Sequence, residues 1–64
     1  MCLATVYQTV KDTEEVVQKN VSKIYVEGSK VRLIDIMGME TVVEGSISFV
    51  DLAGSVVKLS CPTE

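Results

Sequence analysis

The feature that most constrains this chain is how soon each strand-forming run is broken. Short stretches of alternating apolar and polar residues are separated by turn residues throughout. The four glycines, Gly28, Gly38, Gly45 and Gly54, all stand at such breaks. Alternation with period two places successive side chains on opposite faces of a strand, so the pattern predicts an all-β fold. A sheet built from so few residues cannot bury one face unless it curls on itself. The expected architecture is a small SH3-like barrel of six to seven short antiparallel strands, whose closure also hides sheet edges.

Length limits the options further. The 64 residues are expected to form one domain over residues 1–64. A domain this small buries only about 60% of its extended surface, and a staple is needed to hold it firmly. Nothing at the chain start resembles a basic segment followed by an apolar run, so a reducing, cytoplasmic setting is expected rather than a secreted one. In that setting Cys2 and Cys61 are not expected to bridge. No apolar run approaches the roughly 18 residues of a membrane span. A homodimer is then the expected staple, which the 47% hydrophobic content favours.

Several function classes are excluded by composition. The net charge is −3, and Lys11, Lys19, Lys23, Lys30, Arg32 and Lys58 form no run. Nucleic-acid binding needs clustered cations, and single-strand binding needs stacking aromatics. One Phe and two Tyr do not supply them. The chain has no histidine. That removes the commonest metal ligand and general base, and with it any Ser-His or Cys-His pair. No enzyme activity is expected.

The strands are expected at residues 2–10, 15–19, 21–27, 30–37, 41–43, 46–52 and 55–61. Residues 12–20 admit a helix capped by Asp12 or Thr13, but paired valines disfavour it. Lys11-Asp12-Thr13-Glu14 reads as a polar turn, and Gly28-Ser29 as a tight hairpin. The inward phase switches between Leu33 and Ile34, which implies a bulge or bend. Pro62 ends the pairing of the last strand.

Chemistry concentrates at the start, Met1-Cys2-Leu3. The α-amino group, the Cys2 amide and the Cys2 thiolate can close five-membered chelate rings on one ion. A flat nitrogen and thiolate set suits Ni(II) or Cu(II). If Met1 is removed, only amine and thiolate remain, and two chains are needed to complete a plane. The alternative for Cys2 is core packing, the usual fate of a cysteine. Cys61, in phase with Val57 and Leu59, reads as packing or as a second thiolate. Asp12, Glu14 and Glu15 read as a solvated acidic turn, and Asp35 as an exposed carboxylate near a strand edge. Met37 and Met39 flank Gly38 and are expected to make apolar turn contacts, the alternative being a soft-metal role.

These residues carry a resemblance. Met1-Cys2-Leu3-Ala4, Val26-Glu27-Gly28, Lys30-Val31-Arg32, and the closing Val50-Asp51-Leu52, Gly54, Val56, Val57 and Leu59 resemble the CooT proteins. Those are small nickel-binding accessory proteins of carbon monoxide dehydrogenase maturation. The resemblance implies Cys2 as ligand to Ni(II), in a site formed where two chains meet. It also implies carbon monoxide dehydrogenase, or another nickel-delivery protein, as partner. The HypC-type metallocentre assembly chaperones share the Met-Cys-Leu start. They continue to a proline and use a histidine, whereas Thr5-Val6-Tyr7 follows here. A metal-free protein-interaction module is the remaining alternative.

Overall fold

The computed structural model describes residues 3–60. They form β1 (Ala4–Val10), β2 (Thr13–Glu27), β3 (Lys30–Asp35), β4 (Glu40–Glu44), β5 (Ser46–Asp51) and β6 (Val56–Ser60). No helix occurs among the described residues. All six strands belong to one sheet, in the order β4-β3-β2-β1-β6-β5. The all-β expectation holds, including the hairpin at Gly28-Ser29, where Glu27 pairs with Lys30.

Two expectations are corrected. The strands expected at 15–19 and 21–27 are one continuous strand, β2, and no helix forms there. The strands are also not all antiparallel, because β6 returns to lie parallel to β1, with Val6 opposite Val57 and Gln8 opposite Leu59. Parallel neighbours need a long crossover, which β2 to β5 supply.

Bends in two long segments curl the sheet. On β2, Val6 faces Gln18 while Ala4 faces Val21, so β2 spends one extra residue there. The bend falls at Asn20, whose φ of 57° is tolerated by asparagine better than by most side chains. The β1 ladder shifts again at Val17, between Val6–Gln18 and Tyr7–Val16, and a further extra residue, Ser22, lies opposite Ile34 and Asp35. Its hydroxyl donates to the carbonyls of Ile34 (3.2 Å) and Asp35 (3.4 Å). The expected phase switch on β3 is not seen, because Val31 and Leu33 are its buried residues and Ile34 stays out of the core cluster; the bulge lies on the neighbouring strand instead. It also turns both Val21 and Ile24 towards the core.

The second bend is at Gly45. β4 pairs with β3 and β5 pairs with β6, so the residues joining them carry the chain from one side of the sheet to the other. Strands that switch sides this way form the corners of barrels. Gly45 is buried at φ 145°, a conformation open to glycine, and its N–H donates to the Ser29 carbonyl at 2.8 Å. Curling brings β3 against β5.

The core is small and aliphatic. Val6, Val21, Val31, Leu33, Val57 and Leu59 are buried, with Ala4, Val17, Ile24 and Val43 packed against them. Residues two apart on β3 and β6 point the same way, which explains the Val31/Leu33 and Val57/Leu59 pairs.

The polar turn is shorter than expected. Only Lys11 and Asp12 lie outside the strands, between the paired Val10 and Thr13, and both have positive φ (50° and 67°). Both central residues of a type I′ hairpin require this, and Asn-Gly satisfies it with least strain. The double change Lys11→Asn, Asp12→Gly is expected to stabilise the fold by about 1 kcal/mol. A raised urea midpoint with an unchanged slope checks it, and a lowered midpoint contradicts it.

Candidate functional site

The start of β1 is held by its neighbours. The Thr5 N–H donates to the Ser55 carbonyl at 3.0 Å, and Thr5 stands opposite Val56 in the parallel ladder. Leu3 and Ala4, just before this anchor, lie on the wall of an open cleft of about 400 Å³. Val21 and Ile24 of β2, Val50 and Leu52 at the end of β5, and Val56 and Val57 of β6 complete the apolar lining. Ser22, Asp51 and Ser55 are its polar members. The cleft exists because β5 and β2 approach without pairing at this end of the curled sheet.

One wall is a locked turn. The Asp51 carboxylate accepts the Gly54 N–H at 3.1 Å. A Cβ at Gly54 would lie 3.0 Å from Asp51 Oδ2, so the turn favours glycine there. Ser55 follows at φ 57°. The result is that Leu52 projects outward, 84% exposed.

The sequence-predicted ligand Cys2 and the second thiol Cys61 lie outside the described residues. Cys2 is covalently joined to Leu3, a cleft residue. The strand neighbours of Cys61 in phase, Val57 and Leu59, belong to the core. Among the described residues no three His, Cys, Asp or Glu side chains gather as a metal-binding group.

The other residues singled out in the sequence are scattered. Glu14 and Glu15 belong to β2 rather than to a turn, and Glu14 reaches Lys58 on β6 at 3.0 Å. Lys58 also lies 5.3 Å above the Phe49 ring. Arg32 pairs with Glu27 (3.1 Å) and Glu40 (3.6 Å), and sits 4.5 Å over Tyr25. The hydrogen bond from Arg32 to Glu27 holds the guanidinium above its ordinary pKa, so it stays charged. These pairs are exposed and contribute little to stability.

Asp35 has a role that sequence reasoning missed. It is half-buried, and its Oδ1 accepts the N–H groups of Met37 and Met39, each at 2.9 Å. The Asp35 N–H donates to the Met39 carbonyl and the Gly38 N–H to the Asp35 carbonyl, both at 3.0 Å. The available signal was an Asp two residues before a Met-Gly pair, the spacing of an Asx turn. Met37 and Met39 are 83% and 65% exposed, so the expected apolar turn contacts are not made. Gln18 Nε2 also donates to the Met39 carbonyl at 3.2 Å, leaving Gln18 Oε1 buried without a hydrogen-bond partner among the described residues.

A curled six-stranded sheet with an apolar cleft at the start of its first strand defines a small all-β barrel protein. The family profile of the CO dehydrogenase accessory protein CooT matches residues 1–60. The chain belongs to the CooT family, which is a family of accessory proteins rather than of catalysts. Among solved structures, one assigned to CooT from Carboxydothermus hydrogenoformans superposes with a TM-score of 0.85. It is 23% identical, and the match covers 94% of this chain and 97% of that one, a likeness of fold. No curated protein matches the chain. No helix of the described residues is long and apolar enough to cross a membrane.

Proposed function

We propose that this chain is a cytoplasmic nickel-binding accessory protein, without catalysis of its own, that carries Ni(II) as cargo for carbon monoxide dehydrogenase maturation. The observation that carries this reading is the CooT family match, which begins at residue 1 and so includes Cys2. Cys2 supplies a thiolate together with its backbone nitrogen, or its amine if Met1 is removed. This donor set suits a flat Ni(II) site. One trimmed start offers two donors and a square plane takes four, so a two-fold pair of chains completes the set. The partners are a second copy of the chain and the recipient enzyme or another nickel-delivery protein, with no nucleic acid.

Stoichiometry tests this directly. Calorimetric titration with Ni(II) is expected to saturate at one ion per two chains, with light scattering reporting a dimer. One ion per monomer, in a lone monomer, would refute the shared site. No heat with Ni(II), Cu(II), Zn(II) or Fe(II) would favour a metal-free interaction module. Cu(II) is expected to bind at least as tightly as Ni(II), so selectivity must come from metal supply or partner docking.

A further inference from the structure

The β3–β4 turn carries two thioethers into solvent on a fixed backbone. Met37 and Met39 are 83% and 65% exposed, so core packing accounts for neither side chain. Both residues are rooted on one atom, because Asp35 Oδ1 accepts the N–H of each at 2.9 Å. The turn is also tied to β2: the Ile36 N–H donates to the Asn20 carbonyl at 2.9 Å, and Gln18 Nε2 donates to the Met39 carbonyl at 3.2 Å. Gly38 stands between the two methionines at φ 88°, and a Cβ there would meet nothing within 4 Å. The space between the two roots is therefore open. Little backbone freedom remains to be lost when a ligand arrives. An aliphatic side chain would make this turn as apolar, and what methionine adds is sulfur. Thioether sulfur is a soft, uncharged donor, and soft donors select Cu(I) over harder divalent ions.

We propose that each chain binds one Cu(I) ion between the Met37 and Met39 thioethers of the β3–β4 turn. Each sulfur donates a lone pair, the ion keeps its oxidation state, and no proton is displaced. Cu(I) accepts a low coordination number, so a pair of soft donors suffices. Asp35 is a positioning residue, acting through the backbone by holding both amides. The donors differ in kind from the thiolate and nitrogen of the chain start, and the site does not rest on the nickel reading.

Ag(I), a redox-stable stand-in for Cu(I), tests the site by NMR of the methionine methyl groups. Thiolates outcompete thioethers for both ions, so the titration is made on the Cys2→Ser, Cys61→Ser protein in chloride-free buffer. The Met37 and Met39 methyl signals are expected to shift together and to saturate at one ion per chain. Met37→Leu and Met39→Leu conserve side-chain volume at exposed positions, so the fold is kept, which far-UV circular dichroism checks. Each is expected to weaken Ag(I) binding by about tenfold or more, because half of the chelate is gone. Competition with a chromophoric Cu(I) chelator under ascorbate is expected to rank the three proteins in the same order for Cu(I). Two ions per chain, each lost only with its own methionine, would mean independent thioethers and overturn the site. So would a shift of one methyl signal alone, or undiminished affinity in either leucine variant. Both cysteines are absent from the titrated protein, so failure here leaves the nickel reading standing, and a failed nickel titration leaves this site standing.

Discussion

Leu33→Ala is expected to leave most of the chain unfolded at room temperature. Leu33 has no exposed surface and lies mid-strand on β3, between Ile24 of β2 and Thr41 of β4. It belongs to a core of six buried side chains among the described residues. Removing a buried leucine side chain costs about 2–5 kcal/mol, through lost burial and the cavity left behind. A domain of this size is stabilised by roughly 3–5 kcal/mol from its single core. One substitution therefore removes most or all of the margin. Val26→Ala provides the contrast. Val26 lies on the adjacent strand but is 63% exposed, and its loss is expected to change stability by about 0.5 kcal/mol or less. Thermal and urea unfolding followed by circular dichroism compare the two. Any self-association would add stability to the folded state, so all melts belong at one protein concentration. A Leu33→Ala protein that melts within a few degrees of wild type would show that the core does not carry the fold.

Cys2→Ser is expected to abolish the sulfur-to-nickel charge-transfer band and to weaken Ni(II) binding by about a hundredfold or more. The reason is chemical: on the proposed function the thiolate is the ligand, and a serine hydroxyl does not ionise in the accessible pH range. The same chemistry fixes the sign of the pH dependence. A free thiol titrates near ~8.5 and a free α-amine near ~7.7–8.0, so below pH 8 the metal must displace protons to bind. Affinity then falls as pH falls, by about tenfold per pH unit for each proton displaced. Calorimetry between pH 8 and pH 6, in buffers of different ionisation enthalpy, reads both the affinity and the proton count. A flat affinity across that range would count against chelation by the chain start.

Much of the barrel was legible because alternation and turn chemistry are local. Val31 and Leu33, or Val57 and Leu59, announce a buried face by their spacing alone. Gly28-Ser29 announces a hairpin because glycine accepts the positive φ (60°) that the turn needs. The bends of β2 were not legible for the converse reason. Asn20 adopts φ 57° without being glycine, and Ser22 is an extra residue only by reference to β3, so the sequence reads as two strands with a turn. The type I′ turn at Lys11 and Asp12 was hidden in the same way. Asp35 reads as a stray carboxylate until folding places the amides of residues 37 and 39 around it.

Sequence by itself determined the strand character, the exclusion of histidine chemistry, the family, and the candidate ligand Cys2. Each depends on residue type and on neighbours along the chain, and the chelating atoms of Met1 and Cys2 are linked by covalent bonds. Only the tertiary structure decided that β6 lies parallel to β1, and that β1, β2, β5 and β6 together enclose a cleft beside Leu3. Those relations join residues some fifty positions apart. No local propensity encodes them, because they follow from which strands pair once the sheet has curled around its core.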